Sequence, residues 1–207
     1  MTDDPTGWFE PLYSAAERGE REVPWDRDEP RDLLVEWASE RGLDGQDLGA
    51  LVVGCGFGAD AEYLSSLGFD VTAFDVAPTA VRAAQERHPG SSVDYLVADL
   101  LDPPRAWAEA FAFVFEALTV QSLPESVRSR AIARVGAFVA PRGTLLVVAS
   151  ARDEADGPVD GPPWPLTRAE LDSFARGGLE AERVDALPGP RWRAEFRRPQ
   201  GRYRFRP

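Results

Sequence analysis

Lysine is absent from this 207-residue chain, and histidine and cysteine occur once each, as His88 and Cys55. Each shortage excludes something. One cysteine allows no intrachain disulfide, and without a Cys/His cluster no zinc site is expected. No apolar run approaches the ~20 residues that cross a bilayer. The acidic start Met1-Thr2-Asp3-Asp4-Pro5 lacks the basic-then-apolar order of a secretory signal, so no membrane association is expected and a cytoplasmic location is the simplest reading. Positive charge is also scarce: 23 arginines against 35 acids leave a net charge of −12. That balance excludes a general nucleic-acid binder, which needs a basic surface against phosphate.

What is present is an alternation of strands and helices. Residues 1–28 mix aromatics (Trp8, Phe9, Tyr13, Trp25) with many charges and read as an irregular or partly helical arm. Asp28-Glu29-Pro30 predicts a helix start with Asp28 as N-cap, carrying Leu33, Leu34, Trp37 and Ala38 at helical spacing up to Gly42. Strands are predicted at 50–53, 71–75, 93–98, 112–115 and 144–149. Helices are predicted at 59–67, 78–87, 105–110 and 125–139. Pro141-Arg142-Gly143 reads as a turn and 153–165 as a Gly/Pro/Asp-rich loop. Thr167-Arg168-Ala169-Glu170 is a capping box for a helix ended by Gly177-Gly178. The tail alternates over 181–186, then Trp192, Ala194 and Phe196, then Tyr203 and Phe205. There are no internal repeats. This order implies one α/β domain: a doubly wound, mainly parallel seven-stranded sheet with an antiparallel C-terminal hairpin and an N-terminal helical, aromatic arm. Within residues 1–207 we expect a lid arm and helix (1–45), a cofactor-binding core (46–150), and a loop, helix and hairpin (151–207). Seven arginines fall between Arg191 and Arg206. A solvated strand face accounts for them, and an anion or partner contact is the second reading. The acidic first thirty residues also suggest that the two ends of the chain attract each other.

The chemistry is concentrated after the first strand. Leu51-Val52-Val53 runs into Gly54-Cys55-Gly56-Phe57-Gly58, and the next strand ends in Asp75. Glycines at alternate positions let the chain turn sharply and let a ligand approach the main chain. A carboxylate on the neighbouring strand tip suits a ribose diol and repels phosphate. The loop alone does not choose between ligands, because Gly54, Gly56 and Ala59 also satisfy a dinucleotide fingerprint and Asp75 would serve the ribose of NAD. Asp99, at the end of the third strand, is placed to accept from an adenine amino group. The stretch from Phe115 to Pro124 carries Glu116, Thr119 and Gln121 across the switch point from the glycine loop.

Four segments together resemble the class I S-adenosylmethionine-dependent methyltransferases over about residues 30–150. They are Val53-Gly54-Cys55-Gly56-Phe57-Gly58, Ala73-Phe74-Asp75-Val76-Ala77-Pro78, Val97-Ala98-Asp99-Leu100 and Pro141-Arg142-Gly143-Thr144-Leu145. The resemblance implies a Rossmann-like fold, S-adenosylmethionine as cofactor and S-adenosylhomocysteine as product. It assigns Gly54, Cys55, Gly56 and Gly58 to the methionine part and ribose, Asp75 with Val76 to the ribose hydroxyls, and Asp99 with Leu100 to the adenine. Trp8 and the segment Arg21-Glu22-Val23-Pro24-Trp25-Asp26 are similar to the thiopurine and halide/thiol methyltransferase branch, in which a tryptophan-bearing N-terminal segment folds over the cofactor. The branch usually has Asp where Ala112 stands here.

Methyl transfer requires the acceptor in line with the breaking bond, and a base only where the acceptor must lose a proton. His88 ends the helix after the second strand and is expected on the far side of the sheet. Without histidine or lysine at the site, an easily ionised acceptor is favoured: a thiol of pKa ~8.5, or a halide. Oxygen and nitrogen acceptors stay open. Glu116 is the candidate base, or else it orients the cofactor or acceptor. Thr119, Gln121, Arg152 and Trp164 are the candidate acceptor-side residues. The expected partner is a small-molecule acceptor, with the protein a monomer or homodimer. An NAD(P)-dependent oxidoreductase and a non-catalytic cofactor-binding protein are the competing readings. The first lacks a Tyr/Lys or His catalytic pair.

Overall fold

The structure, a computed structural model, describes residues 4–156 and 161–200. Tyr203, Phe205, the last three arginines and part of the 153–165 loop lie outside the described residues. Seven strands form one sheet in the order β3-β2-β1-β4-β5-β7-β6. They are β1 (Gly49–Val53), β2 (Asp70–Asp75), β3 (Asp94–Val97), β4 (Phe111–Ala117), β5 (Val139–Ser150), β6 (Glu180–Leu187) and β7 (Arg191–Arg197). The first five pair in parallel, and β7 is antiparallel to both β5 and β6. Chain order reverses between β1 and β4. Diverging connections there leave a crevice at the strands' carboxyl ends, where doubly wound sheets bind ligands.

The helices are α1 (Phe9–Glu17), α2 (Asp32–Arg41), α3 (Ala59–Ser66), α4 (Pro78–Arg87), α5 (Glu125–Ala137) and α6 (Arg168–Asp172). The central strands are apolar on both faces, as buried parallel strands must be. Leu51, Val53, Val114, Leu145 and Val147 pack with residues of α1, α5 and α6. Ala50, Val52, Phe113, Phe115 and Leu146 pack with α2, α3 and α4 on the other face. The capping box forms as expected: Thr167 accepts from the Glu170 N–H, and Glu170 from that of Thr167. Among the described residues, no helix is long and apolar enough to cross a membrane.

Two local expectations are corrected. Asp28 is not a cap; α2 starts at Asp32 with Arg31 in the N-cap position. A cap at Asp28 would put Glu29 in the first turn, and the residue before a proline is driven out of helical conformation. Instead the Arg31 N–H donates to Asp60 Oδ1 at 2.7 Å. Pro141-Arg142-Gly143 is not a turn but an irregularity inside β5, where the register with β4 jumps from Phe111↔Val139 to Phe113↔Thr144. Reciprocal bonds hold it in the sheet: Arg142 N–H to Arg198 O at 2.9 Å, and Arg198 N–H to Gly143 O at 3.0 Å. A Cβ on Gly143 would meet three carbonyl oxygens at 2.8–3.0 Å, so the bulge needs glycine.

Of the described tail arginines, Arg197 is exposed, whereas Arg191 and Arg193 are paired rather than merely solvated. Arg191 meets Asp32 at 2.8 Å, and Arg193 lies 3.6 Å from both Glu36 and Glu40. Four residues of helix rise ~6 Å and two residues of strand ~6.6 Å, so acids at every fourth position of α2 match alternate residues of β7. Glu195 continues the row, accepting from Trp37 Nε1 at 3.0 Å and pairing with Arg41. Among the described residues, the N-terminal acids that meet Arg191 and Arg193 lie on α2 rather than in the first thirty residues.

Candidate functional site

The glycine loop follows β1 and lies directly under the N-terminal arm. Gly54, Gly56 and Gly58 all have positive φ (63°, 52° and 93°). Close approach matters as much as conformation. A Cβ on Gly54 would fall 2.2 Å from Thr119 Oγ1, and one on Gly58 2.3 Å from the Tyr95 hydroxyl. The loop is thus seated against the β4 exit on one side and β3 on the other.

Asp75 closes β2 and is 5% exposed. Its Oδ2 accepts the Gly56 N–H at 3.1 Å, and its Oδ1 accepts the Ala77 N–H at 3.0 Å. Burial pushes its pKa up to about 6, against the pull of these backbone donors. Asp99 follows β3 and accepts the Leu101 N–H at 2.8 Å. Both aspartates line one cleft, with Val76 and Leu100 beside them and Gly54 and Thr119 across from them. The cleft opens to solvent, and its empty space, counted together with the open mouth, is about 590 Å³. A second lobe runs along residues 54–60 under Arg27 and Arg31. Trp25, Arg31, Gly54 and Ala117 border both lobes, so the two form one elongated site.

The arm supplies its roof. Trp25 Nε1 donates to the Tyr13 hydroxyl at 2.8 Å, and a Cβ on Gly56 would lie 3.3 Å from that hydroxyl. Burial, with the Asp75 charge, pushes the Tyr13 pKa well up, so the hydroxyl keeps its proton. Three side-chain pairs pin the arm. The Glu10 carboxylate accepts from Thr79 N–H (3.0 Å) and Oγ1 (2.6 Å), capping the N-terminus of α4 where a negative charge is favoured. Arg82 meets Glu17 at 2.7 Å. Arg87 forks onto Asp26 at 2.7 and 2.9 Å while lying 3.8 Å from the centre of the Phe57 ring.

The other anticipated residues are placed as follows. Trp8 stacks on Phe9 at 4.0 Å and meets Trp25 edge-on at 5.9 Å, behind the cleft rather than in its lining. Cys55 lines the second lobe, and burial pushes its thiol pKa well up. Glu116 was expected at the carboxyl edge but lies inside β4, which runs two residues past the predicted end. Strand alternation turns it, like Val114, to the α5 face, where it is 1% exposed. Its Oε1 accepts the Val120 N–H at 2.9 Å, its Oε2 has no partner, and burial pushes its pKa up to about 7. Thr119 lines the cleft and donates to Val53 O at 3.0 Å.

Gln121 is buried, accepting the Ser150 N–H at 2.7 Å, and its own carbonyl accepts the Trp164 N–H at 2.7 Å. Arg152 Nε donates to Pro165 O at 2.9 Å. Gln121, Arg152 and Trp164 thus knit the segment at 161–166 to the end of β5, outside the lining of both lobes. His88 is not on the far side of the sheet: its Nε2 lies 3.2 Å from the Phe57 carbonyl, behind the glycine loop.

Sequence reasoning missed Arg31 and Asp60. Arg31 Nε lies 3.3 Å from Asp60 Oδ2 at the junction of the lobes, and burial raises the Asp60 pKa against the pull of Arg31. Nothing in local pattern links residues 29 apart. Asp60 in the first turn after the glycine loop was the available hint.

Residues 50–143 match the family model described as "Methyltransferase domain". A 112-residue segment is 35% identical to the ubiquinone biosynthesis O-methyltransferase of Xanthomonas axonopodis pv. citri (strain 306). That segment covers 50% of this chain but 45% of the relative, so the match spans less than half the relative's length. Among solved structures, one reported for the conversion of a disulfide bond into a thioacetal group during echinomycin biosynthesis superposes with a TM-score of 0.73 at 24% identity, covering 92% of this chain and 93% of that one. The N-methyltransferase NodS from Bradyrhizobium japonicum WM9, in complex with S-adenosylhomocysteine, gives 0.68 at 22% identity, covering 91% and 99%. The fold is the Rossmann-like methyltransferase fold.

Proposed function

We propose that this chain, whose central region matches a methyltransferase domain, is an S-adenosylmethionine-dependent methyltransferase of small molecules with sulfur as its acceptor atom. One observation carries the cofactor assignment: Asp75 and Asp99 line a single cleft that continues, past Gly54, to Arg31. Each Asp75 oxygen accepts one backbone N–H and retains a lone pair for a ribose hydroxyl. Asp99 lies one strand further, suited to the adenine amino group, between Ala98 and Leu100. Arg31, which lines both lobes, is a cation suited to the methionine carboxylate, and the glycine loop would let that tail approach the backbone. Asp60, in the first turn of α3, disfavours the pyrophosphate that a dinucleotide would bring to this helix N-terminus.

The cofactor supplies a sulfonium-bound methyl group with a neutral thioether as leaving group. The protein's own task is to align the acceptor and keep water out. Tyr13 and Trp25 serve the second purpose by roofing the cleft. The choice of sulfur follows from what the lining lacks. Its ionisable groups, among the described residues, are Asp75, Asp99, Arg31 and the protonated Tyr13. Glu116 faces the core and His88 sits behind the loop, so neither is a base for the acceptor. A thiol is already a few per cent ionised at neutral pH and needs none. An oxygen or nitrogen acceptor is the second reading, favoured by the likeness to an O-methyltransferase.

Calorimetry tests the cofactor. S-adenosylhomocysteine should bind, Asp75→Ala and Asp99→Ala should each weaken it about tenfold or more, and NADH should not bind. Binding of the dinucleotide alone would overturn the assignment. A turnover screen of thiols, phenols and amines tests the acceptor, and inert thiols beside active phenols would move the choice from sulfur to oxygen.

A further inference from the structure

Besides the residues assigned above to the cofactor and its roof, the cleft is lined by Thr6, Phe9, Leu118, Thr119, Ser122 and Leu123. The hydroxyl protons in this wall are already committed. Thr119 Oγ1 donates to Val53 O at 3.0 Å and Ser122 Oγ donates to Leu118 O at 2.8 Å. A hydroxyl that has donated offers only lone pairs to a ligand. Thr6 Oγ1 likewise donates to Asp4 Oδ1 at 2.9 Å. Tyr13 is the exception: its hydroxyl accepts from Trp25 Nε1 and keeps its own proton, but it lies over Gly56 on the cofactor side, and the rest of this wall is apolar.

Cations are equally withheld from this end. Arg31 is at the junction with the other lobe, against Asp60. Arg128, behind Leu123, donates to the Leu123 carbonyl at 3.3 and 3.2 Å and pairs with Glu170. Arg152 points to Pro165 O. A carboxylate or phosphate placed here would meet lone pairs and hydrocarbon, with the acids Asp75 and Asp99 lining the same cleft beneath the cofactor. It would lose its hydration without gaining a donor, and the protein's net charge of −12 opposes its approach.

We infer that the acceptor end of this cleft selects a neutral, largely apolar molecule that donates a hydrogen bond to the wall, and rejects molecules bearing a carboxylate or phosphate. This inference rests on the methyltransferase reading, which places the cofactor in the remaining part of the site. A thiol binds under this rule as S–H and reacts through its few per cent of thiolate, the proton leaving to solvent; a phenol or an un-ionised amine fits the binding rule as well.

The test is a binding series on the full chain loaded with S-adenosylhomocysteine, read by calorimetry at pH 7, with three phenyl compounds of equal size class. 4-Methylphenol should bind about tenfold or more tightly than 4-hydroxybenzoate, and several-fold more tightly than 4-methylanisole, which has no donor. Thr6→Arg, at the half-buried mouth, should shrink the first ratio about tenfold by supplying a cation. Equal or tighter binding of 4-hydroxybenzoate, equal binding of 4-methylanisole, or no binding of any of the three would overturn the inference while leaving the cofactor assignment standing. Failure of S-adenosylhomocysteine itself to bind would remove the methyltransferase reading and the inference with it.

Discussion

Glu116→Gln separates a buried structural acid from a catalytic one, and its effect depends on pH. In the folded chain Glu116 keeps its proton up to about pH 7, against an ordinary 4.5, because burial disfavours the carboxylate. Between those values the folded state binds more protons than the unfolded state. Stability from this group is therefore full below about pH 4.5 and is lost as pH rises through 7. At 1.36 kcal/mol per pH unit, moving from pH 5 to pH 8 costs the wild type about 2–3 kcal/mol through this residue alone. Glutamine cannot ionise, and its carbonyl oxygen can still accept the Val120 N–H. Its amide NH₂ takes the place of the unpartnered Oε2 and carries a penalty, but an equal one at both pH values, so it cancels in the comparison. Other carboxylates titrate alike in both proteins.

The expected outcome is that the variant's melting temperature relative to wild type rises by about 5–10 °C between pH 5 and pH 8, at ~2–4 °C per kcal/mol for a chain of this size. Differential scanning calorimetry at the two pH values measures it. The same relative melting temperature at both pH values would refute the burial argument. S-adenosylhomocysteine affinity should change less than about threefold. A loss of turnover of a hundredfold or more with stability and binding intact would restore Glu116 to the reaction.

Two further outcomes follow from packing. Gly54→Ala should cost about 2–4 kcal/mol, combining a positive-φ penalty with displacement of Thr119 from its bond to Val53 O, and urea denaturation of the variant checks it. The double change Glu36→Gln and Glu40→Gln leaves Arg193, whose side chain is 6% exposed, with Asp185 as its remaining carboxylate partner. It should destabilise by about 1–3 kcal/mol, with the loss shrinking as salt rises from 0.02 to 0.5 M in parallel melts of both proteins.

Most of the sheet was legible because its signals are local. Apolar runs separated by glycine and proline located the five parallel strands and the alternating tail that holds β6 and β7, and Pro78 and the capping box at Thr167 marked helix starts within the chain itself. The errors have tertiary causes. Pro141-Arg142-Gly143 has the composition of a turn, but strands on both sides hold it in β5. Asp28 is a good cap by type, yet the helix begins where Arg31 meets Asp60. Glu116 carries the residue type of a base. Its orientation depends on how far β4 extends, and β4 ends two residues later than its apolar run suggested.

The amino-acid order alone determined that a glycine loop follows one strand and that acids end the next two, since these depend on conformational freedom and on period-two and period-3.6 patterning. Only the folded chain decided that Asp75 and Asp99 share a cleft, that Tyr13 and Trp25 roof it, that Arg31 and Asp60 meet where its two lobes join, and that Glu116 and His88 stand outside it. Those relations join residues from 12 to more than 60 positions apart. They arise from crossover connections and side-chain packing, which no local run of sequence encodes.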